Sequence, residues 1–90
     1  MSIFEAVENN DIEAVRKYIH QVNDTDNNDG DTALTLASFY GHKEACQLLL
    51  DNGTDVNHID KYGDTALSLA RKEEIIELLK MYGVSRLVII

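Results

Sequence analysis

Gly30-Asp31-Thr32-Ala33-Leu34-Thr35-Leu36-Ala37 returns as Gly63-Asp64-Thr65-Ala66-Leu67-Ser68-Leu69-Ala70, with one Thr-to-Ser change and an offset of 33 residues. A fixed period of that size marks one supersecondary unit stacked on a copy of itself. Stacked units bury their apolar sides against one another and expose a long outer surface. Such an array has no enclosed pocket, which points toward gripping a partner and away from chemistry.

Outward from this repeat, turn and cap signals divide the chain into short helices. Ser2 and Glu5 have the capping-box spacing, so a helix is expected from the second residue to about Glu8, with the fold's own amino terminus present. Asn9-Asn10-Asp11 breaks it, and a second helix covers 12–20. Residues 21–31 are rich in Asn, Asp and Gly, all turn formers. Thr32 caps the next helix and Gly41 ends it. A helix over 42–51 follows, and Asn52-Gly53 closes it in the left-handed conformation that glycine tolerates. Thr65 caps again, and Gly83 is expected to stop the final helix. Proline is absent, so every break rests on Gly, Asn or Asp.

In the 42–51 helix, Ala45, Cys46, Leu48, Leu49 and Leu50 fill an arc too wide for one contact, as expected of a helix between two neighbours. Lys17 and Lys80 replace Leu48 and Leu50 at the equivalent positions of the outer helices. Each end of the stack therefore carries a lysine on its free edge, as terminal units need for solubility.

Ninety residues make one small domain, and an apolar share of 44% argues against disorder. Sixteen acidic against eight basic residues leave a net charge of −8, which repels nucleic acid and attracts a basic protein surface. The same charge also serves simple solubility. Cys46 is the sole cysteine, residues 1–10 lack signal-peptide character, and no apolar run can span a bilayer. A reduced, cytoplasmic protein with no membrane association is expected.

The repeated octapeptide, together with Gly41-His42, Leu48-Leu49-Leu50 and Asn52-Gly53-Thr54-Asp55-Val56-Asn57, resembles ankyrin repeats over about residues 4–83. The resemblance implies an all-α solenoid of stacked helix-turn-helix units joined by hairpin-like loops. The repeats fall at about 1–26, 27–59 and 60–84, giving a domain over 1–84 and an apolar tail over 85–90. Ala33 and Ala66 stand where the family has proline, and Thr35 and Ser68 where it has histidine, so the resemblance implies that this residue's inter-loop hydrogen bonds are either weakened or remade by hydroxyls. The third repeat is three residues short, which calls for a tight turn near residues 71–73.

Chemistry finds little support. Asp24, Asp26 and Asn28 match the first three ligand positions of a calcium loop, but Asp29 occupies its glycine position and Thr35 its bidentate glutamate position. His20, His42 and His58 are too dispersed for zinc, and Cys46 reads as core packing. His42 matches the family's turn histidine, so a structural hydrogen bond is expected of it. No nucleophile triad, phosphate loop or dinucleotide fingerprint is present. No catalysis, metal or cofactor is expected.

Noncovalent protein binding remains, through the concave face and hairpin tips that the resemblance assigns. The residues so placed are Phe39 and Tyr40, the matching Glu8 and Asn9, and the tip residues Asp29, Asp31, Ile59, Lys61, Tyr62 and Asp64. Adjacent Phe39 and Tyr40 are either interface anchors or a cover for the shortened third repeat. The expected role is a small adaptor or scaffold for a protein partner, a basic one being favoured. The alternative is an acidic inhibitor or immunity-type protein masking a basic toxin or enzyme. The chain is expected to be a monomer. Its tail, Leu87-Val88-Ile89-Ile90, is expected to fold back over the last helix, pair with a partner or second copy, or mark the cut end of a longer chain.

Overall fold

Short polar side chains set where the helices begin. The computed structural model describes residues 2–26 and 28–88. Helix α1 (Ile3–Glu8) is capped by Ser2, α2 (Ile12–Lys17) by Asp11, and α3 (Ala33–Tyr40) by Thr32. Each cap accepts a bond from a backbone N–H of the first turn, worth about 1 kcal/mol. Helix α4 (Lys43–Asp51) follows the left-handed Gly41, at φ 75°. Helix α5 (Ala66–Leu69) opens with a reciprocal capping box between Thr65 and Ser68, and α6 is Glu73–Val88. No strand occurs among the described residues, and the fold is an all-α repeat stack.

The helices form two rows. Helices α1, α3 and α5 pack side by side, with α2, α4 and α6 behind them. Ile3, Leu34, Leu49, Ile75 and Leu79 are fully or almost fully buried along the seam. Each stabilises the fold by about 1.5–3 kcal/mol relative to exposure. Cys46 belongs to this seam, with its thiol against the Ser38 hydroxyl at 3.8 Å. Burial pushes that thiol up to about 11, so it stays protonated and unreactive. Lys17 and Lys80 are exposed at the two ends.

Four expectations need correction. Helix α2 ends at Lys17, and residues 19–21 form a single 3-10 turn, because the Gln21 side chain accepts the Ile3 N–H at 3.0 Å and holds the chain against α1. Gly83 does not stop the last helix. Glycine weakens a helix interior by only about 1 kcal/mol, and α6 runs through it to Val88. The backbone of residues 85–88 therefore extends α6 where a fold-back was expected; Ile89 and Ile90 lie outside the described residues. The His42 ring makes no hydrogen bond among the described residues and stacks on Tyr40 instead, with centroids 5.9 Å apart.

The shortened third repeat resolves as anticipated. Ala70 turns extended (ψ 134°) directly after the four residues of α5, and α6 restarts at Glu73. The hydroxyls at the histidine positions bond locally. Thr35 Oγ1 donates to the Thr32 carbonyl at 2.8 Å, and Ser68 Oγ contacts the Thr65 carbonyl at 3.0 Å and Asp64 Oδ1 at 3.1 Å.

Candidate functional site

Two hairpin loops, at residues 26–31 and 60–64, project beyond α3 and α5. Each is closed by a backbone bond, Asp26 N–H to the Asp31 carbonyl and Asp60 N–H to the Asp64 carbonyl, both 2.9 Å. An aspartate side chain then fills each turn. Asp26 Oδ1 accepts from the Asp29 and Gly30 N–H groups, and Asp60 Oδ1 from those of Tyr62 and Asp64. Asp60 is held below the usual carboxylate range, chiefly by the Asp64 and Tyr62 N–H bonds.

The two hairpins are stapled to each other. The Lys61 N–H donates to the Asp29 carbonyl at 3.0 Å, and Lys61 Nζ to the Asn28 carbonyl at 2.9 Å. Tyr62 donates its hydroxyl to Asp29 Oδ1 at 3.0 Å, a bond that raises the Tyr62 phenol above its ordinary range. His58 Nε2 lies 2.6 Å from the Gly30 carbonyl. A carbonyl can only accept, so Nε2 carries the proton.

Between these hairpins and the exposed sides of α3 and α5 lies an open cleft of about 300 Å³. Its walls are Asp29, Asp31, Asp60 and Asp64, the rings of Phe39, Tyr40 and Tyr62, and Thr35, Leu36 and Leu69. Phe39 is 50% exposed, Tyr40 44% and Tyr62 67%. Helix α5 is only four residues long, and in the last turn of α3 Ala37 and Ser38 are buried while Phe39 and Tyr40 stay exposed, with the Lys72 stem lying over Gly41. Phe39 and Tyr40 pack edge to face, with centroids 5.3 Å apart. Neither ring is folded away beneath the third repeat.

Asp31 is the buried member of the acidic set, only 8% exposed. Its Oδ1 has no hydrogen-bond partner. Burial pushes the Asp31 carboxyl up to about 6, the Thr35 hydroxyl pulls the other way, and Asp60 and Asp26 add to the rise. No ion pair engages Asp29, Asp31, Asp60 or Asp64 among the described residues.

Of the residues singled out from sequence, Asp29, Asp31, Phe39, Tyr40, Tyr62 and Asp64 meet around the cleft. Lys61 stands beside it, with Nζ 5.4 Å from the Tyr62 ring centroid. Ile59 is exposed in the loop before the second hairpin. Glu8 and Asn9 are exposed at the end of α1 and take no part in the cleft. Asp60 was missed, although an aspartate ahead of each hairpin glycine is the usual sign of a side chain closing a turn. Leu36 and Leu69 recur at the repeat period as core leucines do, yet both are only half-buried and face the cleft.

Among the described residues, no group of three or more His, Cys, Asp or Glu is placed to hold a metal ion, and no helix is long and apolar enough to cross a membrane. The cleft offers acceptors and aromatic faces, an arrangement suited to holding a cation or a donor-rich group.

A family model describing ankyrin repeats in three copies matches residues 3–86. The chain belongs to the ankyrin repeat family. Similar proteins include the serine/threonine-protein kinase VIK of Arabidopsis thaliana, 40% identical over 81 residues that cover 82% of this chain and 18% of the kinase. The protein phosphatase 1 regulatory subunit 12A of Mus musculus and of Rattus norvegicus is 40% identical over 45 residues, which cover 50% of this chain and 4% of each subunit. The chain thus spans less than a fifth of the length of the relatives it matches. Ankyrin repeats are protein–protein interaction modules, and the stapled hairpins described above lie directly before α3 and α5.

Proposed function

We propose that this ankyrin domain is an adaptor or scaffold that holds a protein partner noncovalently against its concave face, at the cleft between the hairpin tips and the first helices. The observation that carries this reading is the exposed Phe39–Tyr40 pair beside four carboxylates that enter no ion pair among the described residues. Aromatic anchors ringed by polar groups are the usual energetic centre of an interface. The repeats are taken at about 1–26, 27–59 and 60–84, and the chain acts as a cytoplasmic monomer without catalytic activity. Asp29, Asp31, Tyr62 and Asp64 face the partner with the two anchors, Ile59 and Lys61 meet it at the tips, and Glu8 and Asn9 form the outer rim of the same face.

A net charge of −8 favours a basic partner. It also supports the second reading, an inhibitor that masks a basic toxin or enzyme. Affinity capture from native extract, compared between the natural chain and a Phe39→Ala/Tyr40→Ala variant, tests the site. Loss of the captured partner supports it, and unchanged recovery refutes it. The salt dependence of association separates the two roles. A steep fall in association rate with added salt favours masking, and near-indifference favours the adaptor.

A further inference from the structure

The cleft is built for more than generic contact. Its four carboxylates come from two adjacent hairpins, and its described lining contains no basic residue. The two side-chain donors beside it are already used, Lys61 on the Asn28 carbonyl and the His58 ring N–H on the Gly30 carbonyl. Among the described residues, the hydrogen bonds accepted by the Asp29 and Asp64 side chains fall on Oδ1, which leaves their Oδ2 atoms for another donor, while the Asp60 carboxyl shares a hydrogen bond with that of Asp31. Asp31, more than nine-tenths buried in the wall, has an Oδ1 with no partner at all. A buried carboxylate oxygen without a donor is costly unless something arrives to satisfy the group.

We infer that the cleft receives the side chain of a single arginine from an extended segment of the partner protein, its guanidinium against the carboxylates of Asp31 and its neighbours and its plane against the aromatic wall. This rests on reading the cleft as the protein-binding site. A guanidinium fits the walls better than an ammonium. It is planar and weakly hydrated, it stacks on rings such as those of Phe39 and Tyr62, and its five N–H donors can serve several carboxylates at once. At about 300 Å³ the space matches one long side chain and lies at the small end for a drug-sized ligand. Leu36 and Leu69 give the aliphatic stem an apolar seat. Burial, and after it the neighbouring Asp60 and Asp26, raise the proton affinity of Asp31, and a guanidinium placed beside it would favour the charged form.

The test uses the tripeptide amide acetyl-Ala-Arg-Ala, with lysine and citrulline counterparts, titrated into the isotopically labelled full chain and read by amide chemical shifts. The arginine peptide is expected to saturate with a dissociation constant on the order of millimolar, as befits one side chain. Its shifts should group at Asp31, Thr35, Leu36, Phe39, Tyr62 and Leu69. Citrulline, which keeps the shape and loses the charge, should bind at least tenfold more weakly, and lysine several-fold more weakly. Asp31→Asn should weaken the arginine peptide at least fivefold while keeping a folded spectrum. Asp64→Asn gives a second reading should Asp31→Asn prove poorly folded.

Equal binding of the citrulline peptide, tighter binding of the lysine peptide, shifts scattered over the acidic surface without saturation, or indifference to both substitutions would each overturn the inference. Failure here, with partner capture still lost in the Phe39→Ala/Tyr40→Ala variant, removes only the arginine and leaves the binding face standing.

Discussion

Asp31→Asn should make the protein more stable at neutral pH while weakening its cleft. In the folded chain the Asp31 carboxyl titrates at about 6 against an ordinary 3.8, chiefly because it is buried. A tenfold change in proton affinity corresponds to about 1.4 kcal/mol, so the charged form is disfavoured by up to about 3 kcal/mol. The interaction with Asp60, and the partial exposure that remains, reduce the gain expected from asparagine to about 1–2 kcal/mol. The sign follows from linkage. Below about pH 4 Asp31 is protonated in both the folded and the unfolded chain and contributes no penalty. As pH rises from about 4 to about 6 the unfolded chain releases the proton first, and stability falls. Thermal melts of the natural chain and the variant should therefore differ by roughly 4–16 °C at about pH 7.5 and converge near about pH 4. A variant no more stable at about pH 7.5, or an offset independent of pH, would show that Asp31 carries no unmet charge and would undercut its role in the cleft.

Gly41→Ala and Gly53→Ala should each cost about 1 kcal/mol in urea unfolding, because both glycines have positive φ. The added methyl at Gly41 meets the far end of the exposed Lys72 side chain at 2.8 Å, which can swing aside, and Gly53 faces open space. Leu34→Ala removes a fully buried side chain between the repeats and should cost about 2–5 kcal/mol, enough to leave much of this small domain unfolded by circular dichroism at room temperature. Tyr82→Phe deletes a hydroxyl that bonds Asp51 and receives the Gln47 amide at 2.9 Å, tying α6 to α4; about 1 kcal/mol should be lost, and amide exchange should rise first in α6. Cys46 should resist iodoacetamide in the native protein and react promptly once denaturant is added.

The repeating units were legible because their signals are local. Thr32 and Thr65 cap helices wherever the chain places them, and the left-handed turns at Gly41 and Gly53 follow from the residue type. The missing three residues of the third unit likewise forced a turn, because one continuous helix would have had no apolar face. Gly83 misleads because a glycine's small helix penalty is easily outweighed by the packing of Ile75, Leu78 and Leu79 earlier in the same helix. The cleft was half legible. Its aromatic and acidic members could be carried over position by position, but the depth of Asp31 depends on two hairpins closing over it, and no spacing rule reports that. Sequence position also placed Glu8 and Asn9 on the same face without saying that the cleft forms between the second and third units.

Hydrogen exchange with a captured partner bound and absent is the most direct check on the concave cleft as the binding surface. Added protection should concentrate in residues 29–40 and 60–69, with α2, α4 and α6 little changed. Protection confined to the α2–α4–α6 row, with the hairpins and the ends of α3 and α5 exchanging as in the free protein, would contradict it.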